Sequence, residues 1–140
     1  MLQLHRSLDV RHLAKHMLPH KEDTLGFEED EWLSNLDNIA LTDGLSNYFL
    51  FEQRKPGLYI GHYFLRAKGK RAVTLSSLAL SYMFSVAPTR TIIGLTPFEN
   101  KAARWFSRHM GFKATGQEET TAGTCEVFVL TKAEWLQRNN

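Results

Sequence analysis

One cysteine, four prolines and only short apolar runs in 140 residues narrow the chain's class before any motif is considered. A lone thiol, Cys125, cannot close an internal disulfide, and its setting in C-E-V-F-V-L predicts a packed strand residue rather than a nucleophile. The apolar runs fall far short of the roughly 18–20 residues that span a bilayer. The first ten residues, M-L-Q-L-H-R-S-L-D-V, lack the continuous apolar segment and small-residue cleavage site of a secretory signal. The expectation is a soluble, cytoplasmic protein with no membrane partner. Neither sign of charge dominates: 17 Lys and Arg against 15 Asp and Glu give a formal net charge of +2. No basic stripe is long enough to track a duplex, so nucleic acid is not an expected partner. Repeats, linkers and low-complexity segments are absent as well.

The apolar share of 43% and the charged share of 23% are those of an ordinary globular protein, and the length suits a single domain over residues 1–140. Leu2 to Leu4 alternate as a short strand would. Asp9 can cap a helix running to about Leu18, where Pro19 stops it. His12 and His16 stand i, i+4 on that helix, but no cysteine or acidic ligand pattern joins them, so no metal site is expected. E-E-D-E-W-L-S-N-L opens a second short helix whose acids complement its dipole. Strands follow at Ile39 to Thr42, Ser46 to Glu52 and Leu58 to Leu65, joined by Asp43-Gly44, a two-residue hairpin signal, and by Lys55-Pro56-Gly57. A helix from Lys70 to about Val86 carries Ala72, Leu75, Ala79, Tyr82, Met83 and Val86 at helical spacing. Arg90 to Leu95 is a strand, Ala102, Ala103, Phe106 and Met110 mark the next helix, and Gly111 is placed to end it in the left-handed conformation. A last hairpin, Phe112 to Glu119 with Thr124 to Leu130, precedes a closing helix that ends near Arg138. The order predicts an α+β domain with a mixed, mainly antiparallel sheet flanked by helices.

Two loop-to-helix junctions could carry chemistry. In Lys68-Gly69-Lys70-Arg71-Ala72 a glycine-containing loop feeds a helix whose first N–H groups are unpaired, and the basic side chains oppose the helix dipole unless an anion is bound. A solvated basic loop is the bland alternative. At the second junction, Thr96 to Asn100, local chemistry favours Thr96 as N-cap with Pro97 in the first turn. The competing arrangement puts Asn100 at the cap.

The segment N-K-A-A-R-W-F-S-R-H-M-G-F, set between strands, resembles a region of the GCN5-related N-acetyltransferase (GNAT) family, with Asn100, Ala103, Gly111 and Phe112 at the family's spacing. The order of elements over nearly the whole chain resembles that fold too. K-G-K-x-A followed by T-P-x-x-N is similar to compact acetyltransferase-like proteins of bacteriophages. The resemblance implies acetyl-CoA as co-substrate, no metal, and acetyl transfer to an amine acceptor. It further implies that the pyrophosphate lies on the backbone of Lys68, Gly69, Lys70, Arg71 and Ala72. The pantetheine arm would follow Phe64, Leu65 and Arg66, with Asn100 and Ala103 beside it. His62 stands where many members carry a general-base Glu, and an imidazole can do that work at neutral pH.

The chain departs from the family pattern at two places. Arg71 or Val73 falls where the phosphate loop has a second small residue, and Ser107 stands where many members have a tyrosine that protonates the departing thiolate. These departures suit a second expectation: an inactive GNAT-fold phage protein located in the host cytoplasm or the virion, with virion or assembly proteins as partners. Self-association is left open.

Overall fold

The computed structural model describes residues 2–8, 29–121 and 123–139. The first strand, β1, is His5–Arg6, one step beyond the Leu2–Leu4 alternation. Helix α1 (Glu29–Ser34) leads to β2 (Ile39–Thr42), β3 (Tyr48–Lys55) and β4 (Leu58–Phe64). Helix α2 (Lys70–Ser85), β5 (Thr91–Pro97), α3 (Lys101–His109), β6 (Lys113–Thr120), β7 (Gly123–Thr131) and α4 (Lys132–Arg138) complete the order. The helix expected between Asp9 and Leu18, with His12 and His16, lies outside the described residues.

The strands form one seven-stranded sheet in the order β1-β2-β3-β4-β5-β7-β6. β1 with β2, β2 with β3, β5 with β7 and β6 with β7 pair antiparallel, and β4 with β5 is parallel. Parallel neighbours need a crossover, and α2 supplies it. The fold is therefore α+β with a mainly antiparallel sheet, as the order of elements predicts. β6 does not sit beside β5, the strand it follows through α3, because β7 takes that place.

The chain divides into two compact units, residues 1–52 with 62–79 and residues 53–61 with 80–140. In the first, Trp32 and Leu33 of α1 pack with Ala40, Tyr48 and Leu50, and Phe64 at the end of β4 leans on the same cluster. All four residues of β2 are buried, so I-A-L-T carries no polar face beyond Thr42. Ala72, Leu75 and Ala79 bury one stripe of α2, whereas Val86, expected on that stripe, lies past its end and is exposed. In the second unit Tyr59, Ile92, Phe128 and Leu130 form the buried centre, and Trp135 of α4 stacks on Phe84 at 5.5 Å. Cys125 is buried on β7, as its setting predicts.

Candidate functional site

The first unit holds the exit from β4 and the loop into α2. His62 is exposed on β4 and Phe64 and Leu65 are half-buried. The chain then turns past Arg66, Ala67 and Lys68 to Gly69, whose φ of +59° is a left-handed conformation suited to glycine. A Cβ built at Gly69 would meet nothing within 4 Å, so this backbone stands open on the side where a side chain would project. Val73 N–H makes the first intrahelical bond, to Gly69 O at 3.2 Å. The N–H groups of Lys70, Arg71 and Ala72 precede that bond and have no helical acceptor.

No acid occupies the first turn of α2. Arg66, Lys68, Lys70 and Arg71 are exposed and form no ion pair among the described residues, while Ala72 is buried and anchors the turn. A helix N-terminus with no acid in its first turn and four cations around it would favour an anion over a cation. Sequence reasoning missed one participant, Asn47, which accepts hydrogen bonds from the N–H groups of Arg66 and Ala67. Asn47 belongs to the β2–β3 connection. The Asp43-Gly44 signal predicts a two-residue hairpin there, but the strands are joined by five residues, 43–47, wrapped around the Asp43 carboxylate.

The second unit holds the other junction. β5 continues through Thr96 and Pro97, which pair with Glu126 and Cys125 of β7, so Thr96 is a buried strand residue and not a helix cap. The cap is Asn100: its Oδ1 accepts from Ala103 N–H at 3.0 Å. Asn100 and Ala103 are thereby joined to each other, with Asn100 exposed and Ala103 half-buried. At the far end Gly111 has a φ of +100°. Gly111 N–H bonds Arg108 O and Phe112 N–H bonds Ser107 O, both at 3.0 Å, the paired closure of a Schellman motif. A Cβ at Gly111 would meet Arg138 Nη1 at 2.5 Å, and Arg138 Nη2 donates to His109 O. The Asn-x-x-Ala and Gly-Phe spacing is thus the start and the stop of one nine-residue helix.

Arg104 and Arg108 are used internally. Both reach Glu126, Arg108 at 2.9 Å, and they lie over the rings of Phe98 and Phe128. Ser107 is half-buried on α3. No group of three or more His, Cys, Asp and Glu that could hold a metal occurs among the described residues. No helix among them is long and apolar enough to cross a membrane.

No protein-family model and no curated protein sequence matches the chain. Solved structures do. A variant of the spermidine N-acetyltransferase SpeG from Vibrio cholerae superposes with a TM-score of 0.75 at 15% identity, covering 99% of this chain and 98% of that one. The fold is the GNAT fold. The aminoglycoside acetyltransferase AAC(6')-Ib, in complex with paromomycin and acetyl-CoA, gives a TM-score of 0.72 at 14% identity over 99% of this chain and 97% of its own. An uncharacterized protein from Bacillus halodurans gives 0.69 at 13% identity over 96% and 86%.

Proposed function

We propose that this chain binds acetyl-CoA and passes the acetyl group to an amine. The observation that carries the reading is Gly69: a left-handed, open glycine at the mouth of a helix with no acid in its first turn. The N–H groups of Lys70, Arg71 and Ala72 would take the phosphate oxygens, and Arg66, Lys68, Lys70 and Arg71 would add charge-assisted contacts. Arg71 suits this role because its guanidinium can bind a phosphate with two parallel bonds. GNAT-fold neighbours crystallised with coenzyme A or acetyl-CoA support the assignment.

Acetyl-CoA supplies an activated thioester. On the chain's side, His62 is the candidate to take the ammonium proton of the acceptor, after which the free amine forms the C–N bond and the C–S bond breaks with departure of the coenzyme thiolate. Backbone positioning would provide most of the acceleration, which tolerates Ser107 at the place of the family's tyrosine. The acceptor class is a cationic amine, by analogy with the polyamine and aminoglycoside acetyltransferases that share the fold. The single domain over residues 1–140 and the contacts of Phe64 and Leu65 with the coenzyme are part of this proposal. The second reading, an inactive virion or assembly protein, is favoured by Ser107 and by Arg71 or Val73 at the small-residue place of the phosphate loop.

Isothermal titration with acetyl-CoA tests the binding step, and the absence of heat at high micromolar coenzyme would sink it. Gly69→Glu is expected to abolish binding by placing bulk and a carboxylate in the open space. Gly69→Ala controls for backbone strain and is expected to keep part of the affinity. Wild-type affinity in Gly69→Glu would show that the phosphate lies elsewhere. Thiol release in the presence of spermidine or an aminoglycoside then separates an enzyme from a coenzyme-binding but inactive protein. A His62→Ala variant with the wild-type rate and pH profile would remove His62 as base.

A further inference from the structure

Asn47 makes contacts that neither the sheet nor the proposed chemistry requires. It is 3% exposed, at the last position of the β2–β3 connection. Its Oδ1 accepts from Arg66 N–H at 2.8 Å and from Ala67 N–H at 2.9 Å, 19 and 20 residues along the chain. Its Nδ2 donates to Asp43 Oδ2 at 2.7 Å. The other oxygen of Asp43 accepts from the N–H groups of Leu45, Ser46 and Asn47 at 2.9, 3.2 and 3.2 Å. Thr42 Oγ1 donates to Asn47 O at 2.9 Å and accepts from Gly44 N–H at 3.0 Å. The carboxamide is therefore held in a single orientation by a turn that is itself closed around a carboxylate.

Two successive N–H groups converging on one oxygen form a concavity that elsewhere takes an anion. Here the Asn47 oxygen already fills it. The next residue, Tyr48, is buried in the cluster against which Phe64 packs, so the end of β4 meets the start of β3 while the loop start is bonded to the residue just before it. Beyond Ala67 the loop runs into the α2 helix, which begins at Lys70.

We propose that Asn47 is a positioning residue for the coenzyme. It occupies the first two N–H groups of the loop and so directs the phosphate onward to Lys70, Arg71 and Ala72. It also holds the loop in the receptive shape before the ligand arrives, which lowers the ordering cost of binding. The inference rests on the coenzyme reading above. Asn47 touches no reacting atom in this scheme; it acts through Arg66 and Ala67.

The test is titration of coenzyme A into four proteins, with amide hydrogen exchange at Arg66 and Ala67 followed in each. Asn47→Ala is expected to exchange both amides faster and to bind about tenfold or more weakly, because two partly buried donors lose their acceptor. Asn47→Asp keeps an acceptor for the loop but sets a second carboxylate against Asp43, and is expected to weaken binding to a similar degree. The double variant Asp43→Asn with Asn47→Asp restores a donor to the pair and keeps every acceptor. It is expected to return to within about threefold of wild type, the rescue expected of a preserved hydrogen-bond set. Rescue separates positioning from a loss of fold, and it remains readable where Asn47→Ala does not fold. A folded Asn47→Ala with wild-type affinity and exchange overturns the proposal while leaving the coenzyme reading intact. So does a folded double variant as weak as Asn47→Asp alone. Absence of binding by the wild type overturns the coenzyme reading and this proposal with it, and the exchange data then report whether Asn47 still holds the loop.

Discussion

Truncating Asn100 to alanine removes the acceptor for Ala103 N–H and is expected to destabilise the protein by about 1 kcal/mol in urea unfolding, with Asn100→Asp close to wild type. The same two variants, titrated with acetyl-CoA, decide whether the carboxamide also meets the ligand: unchanged affinity in both confines Asn100 to its cap. The contrast between Asn100, Gly69 and Asn47 shows what a sequence can reveal at this scale. Gly69 stands among cations at a helix start, and Asn100 opens a helix, so both act through neighbours within four residues and local chemistry finds them. Asn47 acts on residues 19 and 20 positions away through a buried carboxamide, and nothing in its own neighbourhood announces that. The Asp43-Gly44 pair pointed the wrong way, because a carboxylate that gathers three following N–H groups is better served by five loop residues than by two.

Elements were legible where their burial pattern was one-sided and less so where pairing extends them. β5 runs on through Thr96 and Pro97 because β7 supplies partners to the end of the strand, and that long-range gain displaces a local capping box. A true capping box closes the chain instead: Thr131 Oγ1 accepts from Glu134 N–H, and Glu134 Oε1 accepts from Thr131 N–H, both at 3.2 Å. Lys113 Nζ lies 2.7 Å from Glu134 Oε2. The hydrogen bond from Lys113, then those from the Thr131 side chain and backbone, hold the Glu134 carboxyl below its ordinary value of 4.5 against a smaller effect of burial. At Asp43 burial works upward, but the hydrogen bonds from the Asn47 side chain and from the Leu45, Asn47 and Ser46 backbone outweigh it, and the net shift is below 3.8. Both groups are depressed on folding. Their contributions are complete above those ordinary values and vanish as pH falls through the lower folded values. Acid titration followed by Trp135 fluorescence, in a Trp32→Phe, Trp105→Phe background, is expected to show α4 loosening over that range. In Glu134→Gln the acid step at α4 should disappear.

For the molecule as a whole, the spacing of Asn100, Ala103, Gly111 and Phe112 together with the order of elements pointed to the GNAT fold, although identities to the solved structures are only 13–15%. The sheet's order beyond β5 was not legible, since the insertion of β7 between β5 and β6 depends on pairings that no local pattern encodes. If acetyl-CoA binds through the exposed cations of the α2 loop, it should raise the melting temperature with concentration, by the mass action of a ligand specific to the folded state. The gain should shrink as sodium chloride rises from low to physiological strength and beyond, because charges this exposed are screened. A salt-independent shift would assign the binding energy to apolar contacts instead.

β6 forms one margin of the sheet, all but its last residue are exposed, and its register with β7 shifts between Ala114 and Gly116. A straight margin of eight residues would be a template on which another chain's strand could zip. The irregularity at Thr115 bends that template, and Lys113, Glu118 and Glu119 burden it with charge. A strand that contributes little to the core is therefore a poor template for stacking into fibrils when the protein is concentrated or newly made.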